Sequence, residues 1–148
     1  MDSPKITYQV FSKIDEVFYE QNETYAGTYN GKDPLSVKIR IWNNFAGTED
    51  VEDLSSFNIV LKFLTLEDSV LLQYIKAYDT EDIEFNSILE SESLVINFPD
   101  TVLSGQANTG SEEYNSNYID IKIVLDIEEN TFIKDHDFKS LILDIVTI

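Results

Sequence analysis

Two runs of alternating apolar and polar residues limit what this chain can fold into. Leu35-Ser36-Val37-Lys38-Ile39-Arg40-Ile41 carries an apolar side chain at every odd position, and Phe57-Asn58-Ile59-Val60-Leu61-Lys62-Phe63 repeats that phase. A strand places every second residue on one face, whereas a helix would scatter the same side chains around its circumference. Both runs therefore read as strands with one face on a core and one toward water. The link Asn43–Leu54 between them is polar and acidic. The two runs read as an antiparallel strand pair of a β-sandwich.

The rest of the chain supplies more strands separated by turn signals. Residues 5–11 alternate with Ile6, Tyr8 and Val10 on one face. Residues 12–20 fit a helix capped at Ser12 or a strand through Val17 and Tyr19, and the strand is favoured. Tyr25–Tyr29 precedes Asn30-Gly31, a strong hairpin signal, and Asp33-Pro34, where proline pushes its neighbour toward extended backbone. Pro34 marks a boundary between an N-terminal arm or first strands, 1–34, and a sandwich domain, 35–148, expected to fold without the arm. Residues 65–78 could start a capped helix, but Val70–Ile75 is apolar almost all round and a buried strand is favoured. Short strands follow at 83–88, with Ile83 and Phe85 inward, and at 94–98, closed by Pro99. Residues 104–117 form a long polar loop, of a length that is usually functional or mobile. Tyr118–Asp126 alternates cleanly and suits a central strand. Thr131–Lys134 and Leu141–Ile148 complete the set; a helical stripe through 138–146 competes, but the β-branched ending favours a strand. A chain that ends in an apolar strand needs that strand inside a sheet or covered by another chain or by further residues.

Seven to nine such strands in 148 residues specify an all-β, antiparallel two-sheet β-sandwich with an N-terminal arm. The formal charge of −18 narrows the partners. Residues 67–117 hold eleven carboxylates against one base, Lys76. Such a surface repels phosphate backbones and anionic headgroups, so neither nucleic acid nor membrane is an expected partner. No stretch approaches the ~20 apolar residues of a membrane span. The N-terminal residues alternate and form no hydrophobic signal core. A soluble virion or cytoplasmic location is expected.

Few residues carry recognisable chemistry. With no cysteine, disulfides, thiolate metal sites and cysteine nucleophiles are all excluded. The single histidine, His136, sits between Asp135 and Asp137 without a nucleophile motif. Gly27, Gly31, Gly47, Gly105 and Gly110 build neither a phosphate-binding loop nor a dinucleotide fingerprint. With 28 acidic residues, some close carboxylate pair is unavoidable and identifies no glycosidase. No cofactor is expected. Ca²⁺ is the metal that the acidic turns Glu49-Asp50 with Glu52-Asp53, Asp79 with Glu81-Asp82, and Asp135 with Asp137 could hold, though none has EF-hand spacing. Trp42 falls in phase with Ser36, Lys38 and Arg40 on the polar face. It is an interface anchor, a sugar-stacking platform, or a ring turned inward at the strand end. Tyr8, Tyr19, Tyr25, Tyr29 and Tyr118 join it as interface candidates.

Leu35–Phe63, with its alternating strand into Trp42-Asn43-Asn44, the link through Gly47 and Leu54, and the strand from Phe57, resembles immunoglobulin-like and cellulose-binding-type sandwiches; a jelly-roll-like arrangement is the other form the strand count suits. Cellulose-binding modules present several coplanar aromatics and only Trp42 is placed here, so sugar binding is not implied. In general character, an acidic, cysteine-free sandwich with an arm is also similar to small structural proteins of tailed bacteriophage particles. The expectation is a non-catalytic structural protein of a head, neck, tail or baseplate. It would act as a homo- or hetero-oligomer through other protein subunits. The alternative is a carbohydrate-binding module with a glycan ligand.

Overall fold

The computed structural model describes residues 1–12, 17–20, 23–28, 35–63, 66–98, 100–126 and 140–148. Thr131–Lys134, His136 and Tyr29 lie outside them. Strands dominate: β1 (Ile6–Ser12), β2 (Val17–Glu20), β3 (Glu23–Thr28), β4 (Leu35–Asn43), β5 (Leu54–Ser55) and β6 (Asn58–Phe63) in the first half. A 3-10 helical segment (Leu66–Tyr74) leads into β7 (Ile75–Tyr78). Then come β8 (Ser87–Glu90), β9 (Ser93–Asn97), β10 (Val102–Leu103), β11 (Tyr118–Leu125) and β12 (Ser140–Thr147). They form two five-stranded antiparallel sheets, ordered β2-β1-β4-β11-β7 and β3-β12-β6-β9-β8, and a two-stranded ribbon, β10-β5. The all-β, antiparallel class is thus as the alternation specifies. Among the described residues no helix is long and apolar enough to cross a membrane.

The inward phase of the alternating runs is the core. Ile39, Ile59 and Leu61 are fully buried, and Ile121 and Ile123 are 1% and 2% exposed. These residues come from both five-stranded sheets and belong to one buried cluster, with Ile6, Tyr8 and Val10 packed against it. Tyr8 Oη and Thr147 Oγ1, 2.5 Å apart, tie β1 of one sheet to β12 of the other.

Three expectations need correction, and one pair of alternatives is resolved. The runs that become β4 and β6 are not paired: β4 lies between β1 and β11, and β6 between β12 and β9. Alternation defines a buried face but not the neighbour, and their link is too long for a tight hairpin. Second, of the two readings of 1–34, an arm or first strands, the described residues form strands. β1 and β2 extend one sheet and β3 the other. Third, residues 66–74 are a 3-10 segment, not a strand. Leu71 and Leu72 are both fully buried although adjacent, which a strand's two faces do not arrange, while Val70 and Gln73 are exposed. Gln73 Nε2 donates to the Val70 carbonyl three residues back, 2.9 Å. Fourth, Ile83 is 59% exposed in a turn. Asp79 Oδ1 accepts from the N–H groups of Glu81 (2.8 Å) and Ile83 (3.0 Å), so a carboxylate-built turn displaces the start of that strand to Ser87. Phe85 does pack against the core.

The apolar C-terminal strand has its partners within the chain. β12 runs between β3 and β6, and Ile148 and Asn58 exchange backbone hydrogen bonds of 2.9 Å in both directions.

Candidate interaction surface

Trp42 keeps the phase expected of it. It pairs with Thr7 on β1 and Tyr118 on β11, two residues beyond Arg40, which pairs with Gln9 and Asp120. Both therefore lie on the face of β4 opposite Ile39 and Ile41. Yet Trp42 is 1% exposed and Arg40 is 6% exposed. The reason is a second layer of loop. Phe45 meets the Trp42 ring edge-on at 5.0 Å, and Tyr118 packs on it at 4.7 Å. Gly110, at φ +78°, presses so close that a β-carbon there would lie 2.8 Å from the Phe45 ring. The indole N–H, which burial would leave unsatisfied, donates to Gln9 Oε1 at 2.9 Å.

Beneath the same cover, Arg40 makes a fork to Asp120: Nε to Oδ1 at 2.7 Å and Nη2 to Oδ2 at 3.0 Å. Nη1 reaches Glu112 at 3.3 Å, and the guanidinium lies 4.1 Å over the Tyr118 ring. Burial works against the Arg40 charge, but the bonds and field of Asp120 outweigh it and hold its pKa above the ordinary value. Burial also raises the Tyr118 phenol; Arg40 opposes that shift, while Asp120 and Glu112 add to it.

Three buried asparagines clamp the loop that provides this cover. Asn43 Nδ2 donates to the carbonyls of Glu52 (2.9 Å) and Leu103 (3.1 Å). Asn44 Nδ2 donates to those of Glu49 and Gly105, both 2.9 Å. Asn117 Nδ2 reaches Ser104 (2.9 Å), Gln106 (3.0 Å) and Asn43 (3.2 Å). The 43–54 link and the 104–117 loop are thereby joined as one unit. Two of the candidate calcium carboxylates take part: Asp53 accepts from Gly105 N–H and Asp50 from Ala107 N–H, both at 2.8 Å. Asp79 closes its turn, and Asp82 pairs with Lys122 at 2.6 Å. Among the described residues no group of three or more His, Asp or Glu is placed to hold a metal ion; Asp135 and Asp137 lie outside them.

The interface candidates are thus distributed otherwise than expected. Trp42 is enclosed, Tyr118 forms part of its enclosure, and Tyr8 is bonded across to β12. Tyr19 and Tyr25 lie on β2 and β3. Exposed apolar surface is found instead on β8, which overlaps the expected strand 83–88 but holds none of the expected interface residues. Every residue of β8 is exposed, with Ile88 at 66% and Leu89 at 52%. β8 is the terminal strand of its sheet and pairs with β9 alone among the described residues. Leu89 lies opposite the buried Leu94, so it is on the core-side face, yet it is itself exposed. The available signal was Ile88-Leu89: two adjacent apolar residues in a short strand cannot both point into the core.

No protein-family model, no curated protein and no solved structure matches this chain.

Proposed function

We propose that this protein is a non-catalytic assembly component, its two five-stranded sheets packed as a sandwich, working through protein–protein contact at β8. The tailed-phage structural proteins named from the sequence are the class this reading favours. The observation that carries it is the edge of β8, exposed at every residue, carrying Ile88 and Leu89, and paired among the described residues with β9 alone. A sheet edge offers unpaired N–H and C=O groups to another chain, and natural proteins normally blunt such an edge or cover it. The sugar-binding alternative rested on Trp42, whose enclosed ring offers no stacking face.

The test is a photo-reactive amino acid placed at Ile88 in the full-length chain, irradiated in cells of its source. We expect a discrete covalent adduct with one protein, identified by mass spectrometry, that is absent when the same group stands at the exposed Glu113 of the clamped loop. Equal labelling at both positions, or none at Ile88, would overturn the reading.

A further inference from the structure

The assembly reading leaves the partner's chemistry open, and the charge around β8 narrows it. Resting on that reading, we propose that the β8 edge receives an extended segment of another protein that carries Lys or Arg between apolar residues, and pairs with it as a sixth strand.

The backbone determines which groups are available. Asn97 N–H donates to the Asn86 carbonyl at 2.9 Å, so Asn86 belongs to a hydrogen-bonded pair of the β8–β9 hairpin. Bonded and non-bonded pairs alternate along an antiparallel ladder. With Ile88 opposite Val95 and Glu90 opposite Ser93, the even residues point their N–H and C=O toward β9. Ser87 and Leu89 point theirs outward, where an added strand would bond them. The Leu89 side chain then acquires a neighbour on the core-side face, and Ile88 one on the other.

Charge selects among strands that could dock in this way. Residues 77–92 carry Asp79, Glu81, Asp82, Glu84, Glu90 and Glu92, and no Lys or Arg. Asp79 is engaged in its turn and Asp82 by Lys122, while Glu90 and Glu92 stand at the tip of the β8–β9 hairpin. A second copy pairing β8 to β8 would bring these carboxylates together in a chain already at −18. A basic strand is attracted by the same carboxylates. The arrangement therefore admits one sort of partner and disfavours self-pairing.

The experiment titrates the full chain calorimetrically with three eight-residue peptides alternating Val with Lys, Ser or Glu. The Lys peptide should bind, at least tenfold more tightly than the Ser peptide, and weaken as salt is raised. The Glu peptide should not bind. Ser87→Pro and Leu89→Pro each remove an outward N–H and leave the β9 ladder intact, as proline does on an edge strand. Each should reduce Lys-peptide affinity at least tenfold, with melting temperature as the check on folding. Lys-peptide binding that survives both substitutions would be diffuse charge attraction and would overturn the edge site. Equal binding of the Lys and Ser peptides would overturn the basic partner. If no peptide binds while the Ile88 adduct forms, the partner chemistry is wrong and the assembly reading stands; if both fail, both fall.

Discussion

Arg40, Trp42 and Tyr118 show how far a residue's neighbours can override its place in a pattern. All three belong to strand positions facing away from the core, where water would be the ordinary surroundings. A clamped loop replaces that water, so each polar atom needs a protein partner, and Gln9, Asp120 and Glu112 provide them. Tyr118 carries a testable consequence. Its folded pKa is raised above the ordinary 10.0, so the fold favours the neutral phenol. That contribution is complete below pH 10 and is lost as pH rises through the folded value. Tyr118→Phe should therefore lower stability modestly at neutral pH, since the phenol donates to the Glu112 carbonyl, and flatten the alkaline decline. Urea midpoints from pH 8 to 11 for both proteins would show this; parallel alkaline slopes would contradict it.

At the level of elements, the 104–117 loop and the β8–β9 hairpin are opposites. The loop has a polar, low-propensity sequence that invites a reading of mobility, yet its backbone is bonded from buried side chains at Asn43, Asn44 and Asn117. Asn117→Ala would leave the carbonyls of Ser104 and Asn43 without this donor, at about 1–3 kcal/mol for each buried group left unpaired, while the Gln106 carbonyl keeps Asn108 Nδ2 at 3.0 Å. We expect a lower melting temperature and faster amide exchange at Gly105 to Asn108. Gly105 offers a second handle: an added β-carbon would lie 2.0 Å from the Val51 carbonyl oxygen, so Gly105→Ala should unseat the loop and expose Trp42 to iodide quenching. The hairpin has regular strand pairing, with β9 largely buried and β8 exposed. Its outer strand, β8, is exposed along its whole length and among the described residues pairs with β9 alone.

The whole molecule depends on pairings between residues far apart in sequence. Deleting residues 2–33 would remove β1 from beside β4, β3 from beside β12, and Gln9 from beneath Trp42. It would also strip Ile6, Tyr8 and Val10 from the core. Against a total stability of about 5–15 kcal/mol for a typical domain, that loss should leave the remainder unfolded. The single tryptophan gives the readout: its emission should match that of the urea-unfolded full chain. A truncated protein with a cooperative transition and native-like emission would show that 35–148 folds alone.

Sequence alone determined the class and the core. Alternation is a local property, and Ile39, Ile59, Leu61, Ile121 and Ile123 followed from it directly because one face of each strand must leave water. The charge, too, was plain in composition, as was the lack of thiol chemistry. Pairing was not legible, because one alternating strand presents the same edge to several partners; only the closed set of ladders put β4 beside β1 and β11 and enclosed β12. Trp42 makes the same point at one position. Its phase was readable from its neighbours in sequence, but its burial depended on Phe45 folding back from three residues on and on Gly110 and Tyr118 arriving from elsewhere in the chain. The terminal place of β8 among the described residues was likewise decided in three dimensions, since a strand becomes an edge only through where the other strands are placed.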